Sequence, residues 1–339
     1  MLVGDKPKAA TLPERVNFMQ YWRVYVAVIL VCWAIVVFGY GHWAGVLAHW
    51  PMSIVMILGS LVAGSTPMGG GTVAFPILVL LFHQPAANAR NFALVIQAVG
   101  MTSALLFILG RRVPLPFRVL AGSTAGAAIG FAAGTFLISP HVSGNLVKLL
   151  FSCLWMSFGL LTLSKNLEIC GLKGKGPADP STAGWVGFAA GLIGGTMASM
   201  IGVGVEMAVY TSMVLLFRTD LKIAIPTAVS AAALASIEGA LLHAYLGDIE
   251  SETIYNWLAA TPIVIFGAPI GTYLVSILPR PKVLYFVSFL CVLQFVWTLY
   301  QTAHSAMEWW FVGGAMVVAV AVLFTLYRTG KSRAIEPAA

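Results

Sequence analysis

Apolar residues come in blocks along this chain, divided by short polar stretches, and two of the blocks are broken at their centres by glycines. The first broken block covers residues 54–82, around Thr66-Pro67-Met68-Gly69-Gly70-Gly71-Thr72. The second covers about 187–217, around Ile201-Gly202-Val203-Gly204-Val205-Glu206. An offset of 135 residues carries Leu80 onto Leu215, and with it Gly69 onto Gly204 and Gly71 onto Glu206. The unbroken blocks, near 21–40, 88–109, 117–138, 142–163, 222–245, 253–278, 282–300 and 309–327, read as membrane-crossing helices, since about twenty apolar residues span a bilayer core.

The halves of the first broken block are about thirteen and ten residues, near 20 and 15 Å at 1.5 Å per residue, too short to cross a core of about 30 Å. Loop charge gives the same reading. Arg111, Arg112 and Arg118, then Lys165, Lys173 and Lys175, Arg218 and Lys222, and Arg280 and Lys282 mark four basic loops, and both termini are basic, whereas 246–254 carries only Asp248, Glu250 and Glu252. Basic loops gather on the cytoplasmic side, and these do so only if each broken block makes no net crossing. The expected fold is therefore an all-α integral membrane protein. It is an inverted repeat of one re-entrant broken-helix hairpin plus three transmembrane helices, with an extra helix at each end and both termini in the cytoplasm. Its parts are 1–50 (tail and first helix), 51–163 (first repeat), 164–182 (cytoplasmic linker), 183–302 (second, inverted repeat) and 303–339 (last helix and tail).

Composition strengthens this reading. Apolar residues make up 59% of the 339 and charged ones 9%, far from the balance of soluble domains, so the chain is expected to be one membrane domain. The formal charge of +7 is topological and points to no nucleic acid. Cys32, Cys153, Cys170 and Cys291 have neither the spacing nor the His partners of a metal site or a disulfide framework. No cofactor is expected. A charged tail of about twenty residues before a long apolar run is unlike a cleavable signal, so the first span is expected to be retained in an inner (plasma) membrane.

Chemistry is expected at the breaks. The second half-helix of each hairpin starts there, so its unpaired N–H groups and positive dipole end face the midplane and form an anion site without a buried cation. Broken helices meeting at the midplane in inverted repeats are the architecture of secondary transporters. Thr66, Gly69, Gly70, Gly71 and Thr72 in the first tip, and Gly202 and Gly204 in the second, are the candidate substrate-binding groups, with Asn91 and Gln97 as amide donors from the following span. Glu206 and Glu238 are candidate proton carriers, being carboxylates inside apolar segments. Gly59, Gly64, Gly122, Gly126, Gly130 and Gly134 read as close-packing positions. Arg90 reads as an interfacial anchor, with attraction of anions to the mouth as the alternative, and His243 as a structural residue near the outer interface.

Two Gly-rich tips, TPMGGGTVAFPIL and MIGVGVEMAVYTSMV, each followed by a span opening like NARNFALVIQAVGMTSA or LKIAIPTAVSAAA, resemble the sulfite exporter TauE/SafE family of membrane permeases over about residues 50–300. The resemblance implies transport of small anions, sulfite, sulfonates or related organosulfur compounds, coupled to an ion gradient or membrane potential. Glu206 stands where the family pattern has a third glycine, which counts against a two-fold symmetric site. A small anion, a coupling ion and the bilayer are the expected partners, with room for a homo-oligomer. A passive anion channel on the same scaffold is the alternative. An intramembrane enzyme using His243, Glu206 or Glu238 lacks any paired catalytic motif.

Overall fold

The computed structural model describes residues 18–177 and 179–335. The N-terminal tail on which the signal reading rests lies outside them. The described chain is helical throughout: α1 (Phe18–Ala34, continuing as a π turn Ile35–Gly39), α2 (Trp43–Ala48), α3 (Trp50–Ser65), α4 (Gly71–Pro76, continuing to Leu81), α5 (Ala86–Gly110), α6 (Phe117–Ala133, continuing to Ile138), α7 (Gly144–Cys170), α8 (Pro180–Ile201), α9 (Val205–Thr211, continuing to Leu216), α10 (Leu221–Leu246), α11 (Ser251–Ile277), α12 (Arg280–Thr302) and α13 (Ala306–Ile335). Among the described residues nine helices are long and apolar enough to cross a membrane, and peripheral ones carry exposed apolar side chains such as Phe289 and Val317. Burying no such face against protein is what a lipid-facing surface requires, and the chain is a multi-pass membrane protein.

Contacts fix the direction of each helix. Ser53 Oγ donates to the Ala259 carbonyl at 2.7 Å, and a methyl at Gly267 would meet Ser60 and one at Gly271 would meet Leu61, so α3 and α11 run parallel. A methyl at Gly122, Gly126 or Gly130 of α6 would strike the backbone of α8 near Gly184, Phe188 and Leu192 respectively. The numbers again climb together, and α6 and α8 are parallel with backbone on backbone. These glycines are the close-packing positions that small-xxx-small spacing expects. By contrast α7 and α12 run antiparallel, through Thr162 and Ser288 hydroxyls at 2.8 Å and Asn166 Nδ2 on the Pro281 carbonyl at 3.2 Å.

Each broken segment starts and ends at one end of the bundle. His49 Nε2, before α3, and Gln84 Nε2, after α4, both reach the carboxylate of Glu252, at 3.1 and 3.4 Å. At the other end Gly174, ahead of α8, exchanges backbone hydrogen bonds with Arg218 and Asp220, beyond α9, at 3.2 and 2.7 Å. The two broken segments therefore hang from opposite ends. The loops carrying Arg111, Lys173 and Arg218 share the second end, and the acidic turn 247–250 lies at the first.

Two boundaries differ from the sequence reading. α8 begins at Pro180, ahead of residue 187, because Asp179 caps it by accepting from the Thr182 amide at 2.6 Å and Pro180 suits its first turn. The resulting helix of 22 residues, about 33 Å long, is long enough to cross a bilayer core, unlike α3. α7 continues past residue 163 to Cys170 through a kink at Lys165 (φ −116°, ψ 16°). Glu168 holds that extra turn, accepting from Arg218 at 2.6 Å and from the Tyr327 hydroxyl at 2.8 Å.

Candidate functional site

The two helix breaks meet. α3 stops at Thr66, whose extended backbone (φ −139°, ψ 162°) ends the helix, and Gly69 turns the chain with φ +71°, a conformation that costs any other residue. α8 stops at Gly202 (φ +78°), and Gly204 at φ +146° redirects the chain into α9. α9 then folds back along α8, close enough that a methyl on Gly194 would lie 2.5 Å from Val205 Cα.

Gln97 of α5 joins the two tips. Its Nε2 donates to the Gly202 carbonyl at 3.0 Å and to the Ala93 carbonyl at 3.1 Å. A methyl on Gly69 would overlap Glu206 Oε1 and lie 2.7 Å from Gln97 Oε1, and one on Gly71 would lie 2.7 Å from Val203. Gly70 faces the Gln97 side chain as well. Gly69 and Gly71 in the first tip thus let its backbone press directly on the second.

Glu206 lies between the tips, 2% exposed. The backbone amides of Gly204 and Glu206 face its carboxylate, so it occupies the N-terminal end of α9, where a helix attracts an anion. Its Oε1 and Gln97 Oε1 have no hydrogen-bond partner among the described residues. Two acceptors thus converge on the Gly69 backbone with nothing to accept from, an arrangement that buried polar groups rarely tolerate unless a ligand, water or proton completes it.

An aromatic wall from α7 closes the site. Trp155 Nε1 donates to Thr72 Oγ1 at 3.0 Å, and Thr72 in turn donates to the Met68 carbonyl. Trp155 stacks on Phe151 (4.7 Å, 16°), Phe151 on Phe75 of α4 (4.8 Å), and Phe158 meets Tyr210 of α9 edge-on at 5.7 Å. Beside Gly70 and Gln97 remains a cavity of about 10 Å³, room for roughly one water. On the other flank of α4 an apolar crevice of about 460 Å³ separates Thr72, Pro76 and Leu80 from Leu293, Gln294 and Trp297 of α12.

Gly69, Gly70, Gly71, Gln97, Gly202, Gly204 and Glu206 therefore come together. The Thr66 and Thr72 hydroxyls lie in the first tip but are turned onto its own backbone, Thr66 donating to the Val62 carbonyl at 2.7 Å. Asn91 is elsewhere: its Nδ2 donates to the Asp248 carbonyl at 2.9 Å, at the acidic end of the bundle. Glu238 stands half-buried on α10 with Oε2 unpartnered. Arg90 is not an interfacial anchor, being only 7% exposed and paired with Asp248 at 3.1 Å. Its burial follows from its place a turn inside α5, where a guanidinium needs an internal partner.

Trp155, Tyr210 and Asp248 escaped the sequence reading. Only Asp248 left a signal, since an arginine set inside an apolar span calls for a carboxylate, and the one acidic loop supplies it.

No curated protein and no solved structure matches the chain. Residues 52–298 match the sequence model of the family described as Sulfite exporter TauE/SafE, a stretch that holds both breaks, Gln97 of α5 and the aromatic wall of α7. The chain belongs to the sulfite exporter TauE/SafE family of membrane permeases.

Proposed function

We propose that the chain is a secondary transporter that moves sulfite-type or small organosulfur anions by alternating access, holding them where the N-terminal ends of α4 and α9 meet at Gln97. The observation that carries this reading is the junction itself: two helix starts, glycine backbone and one amide side chain, with Glu206 in the place an anion would take. The broken segments are the paired hairpins of an inverted repeat, the first re-entrant on its short arms and the second with a first arm, α8, of spanning length. This is supported by their suspension from opposite ends of the bundle and by the 135-residue offset, which carries the parallel pair α6 and α8 onto α11 and α3. The basic end is cytoplasmic and takes both termini with it, as the charge of its loops supports.

Coupling runs through Glu206. A substrate anion and an ionised Glu206 compete for the same helix end, so proton uptake by Glu206 and anion binding favour each other. With the tips in contact and one water's room at Gly70 and Gln97, binding of the anion at the junction requires displacement of Glu206. The test is sulfite and sulfonate flux into proteoliposomes with and without an imposed pH gradient. Flux driven by the gradient is expected; no flux of any small anion overturns the reading, and flux indifferent to the gradient would make the protein a channel.

A further inference from the structure

Among the described residues Arg90 is the only buried lysine or arginine, and nothing in the transport reading above uses it. It belongs to a group of donors. Arg90 Nη2 lies 3.1 Å from Asp248 Oδ2, Asn91 Nδ2 lies 3.3 Å from Oδ1, and His243 Nδ1 lies 2.9 Å from Oδ2 and 3.1 Å from Oδ1. Three side chains from α5 and α10 thus converge on one carboxylate. His243 is fully buried and its Nε2 has no partner. Asp248 is different: its side chain is 40% exposed, and it sits just past α10, after Gly247 at φ +69°.

A buried cup of donors capped by an exposed acceptor is the arrangement a small oxyanion would find if the cap moved aside. The cup adjoins the transport site. Arg90 Nη1 faces the Ser199 carbonyl at 3.4 Å, and a methyl on Gly202 would lie 2.6 Å from the Arg90 carbonyl. Arg90 and Gln97 are seven residues apart, two turns along one face of α5, about 10 Å. The repeat does not supply this cup. Its offset places Ile225 opposite Arg90, Pro226 opposite Asn91 and Val113 opposite Asp248, so the device exists at the acidic end alone.

We propose that Arg90, Asn91 and His243 form a transient exit site for the transported oxyanion, and that Asp248 is its built-in occupant, displaced as the anion passes and returning to expel it. A bare buried guanidinium would retain an oxyanion through charge-assisted hydrogen bonds; a tethered carboxylate of the same charge competes for those donors and limits the residence. The flanking Glu250, held by Asn88 at 2.8 Å, and Glu252, held by His49 at 3.1 Å, repel the released anion outward.

The inference rests on the transporter reading, and its deciding readout is binding rather than flux. Purified full-length protein in detergent is titrated with sulfite, and thermal stabilisation is read. In Asp248→Asn, losing the competitor should lower the half-saturating concentration roughly tenfold, the worth of one charge-assisted hydrogen bond, and in liposomes should lower KM and turnover together. The isosteric double variant Arg90→Gln/Asp248→Asn should abolish the gain. Asp248→Ser, with a shorter side chain that leaves the cup open, serves where Asp248→Asn does not fold. Unchanged half-saturation in the single variants, or a gain that survives in the double variant, overturns the proposal. Absence of wild-type flux would instead sink the transporter reading.

Discussion

Adjacent glycines in the first tip should respond in opposite ways to the smallest substitution. At Gly69 the backbone is left-handed (φ +71°), which costs an alanine about 1–2 kcal/mol. The new methyl would also overlap Glu206 Oε1 and crowd Gln97 Oε1. Gln97 is pinned by two hydrogen bonds, so moving it aside gives up at least one, about 1 kcal/mol. Gly69→Ala should therefore weaken the contact between the tips by about 2–3 kcal/mol, roughly 30- to 140-fold in its equilibrium population. At Gly70 the backbone is helical (φ −68°), and a methyl would lie 3.5 Å from Gln97 Cγ and 3.7 Å from Ala63 Cβ, ordinary contacts. Gly70→Ala should be neutral or gain about 0.4–1 kcal/mol by restricting the unfolded chain. Thermal inactivation in detergent and sulfite flux in proteoliposomes, measured for both variants, decide the matter. Equal behaviour of the two would refute the claim that a methyl at Gly69 collides with Glu206 and Gln97 while one at Gly70 makes only ordinary contacts.

Glu206→Gln keeps the shape of the junction while removing its charge and proton; it is expected to abolish the response of flux to a pH gradient, and a wild-type response would exclude coupling through this residue. Gly126→Leu forces a side chain into the Phe188 and Leu192 backbone of α8 and should destabilise the protein by at least about 1–3 kcal/mol, seen as a lower inactivation temperature; an unchanged temperature would mean that α6 and α8 are not in backbone contact. Trp155→Phe keeps the stack on Phe151 but leaves Thr72 Oγ1 without its donor. A loss of about 1 kcal/mol is expected in thermal stability, and none in Leu160→Phe, whose side chain is exposed on the same helix.

Much of the architecture was legible because it rests on one-dimensional signals. Apolar length marks a span whatever it packs against, and the basic residues of 111–118, 173–175 and 218–222 lie in loops at one end of the bundle. The glycine run 69–71 was legible as a helix break for a similar reason, since no helix keeps three consecutive glycines without local cause. What escaped depends on partners distant in sequence. Gly122, Gly126 and Gly130 announced a packed face, yet nothing in their spacing says that the partner is α8 and that it runs parallel. Asn91 and Gln97 look alike as amides six residues apart. Only the tertiary fold commits the first to Asp248 and the second to Gly202. The start of α8 escaped because Asp179 and Pro180 lie in a polar stretch that reads as loop until the cap is seen.

Backbone against backbone has a mechanical consequence for a machine that must change shape. Where side chains interdigitate, two helices can slide by exchanging rotamers; α6 and α8 have almost none between them, so shear would drive carbonyl against amide at Gly122, Gly126 and Gly130 in turn. They are locked into one plank, and α9, folded along α8, rides on it. Gly64 and Gly271 fasten α3 to α11 in the same manner. On the alternating-access reading proposed above, the parts that move past one another are these two planks, each carrying one tip, and the contact between the tips is the joint that must open.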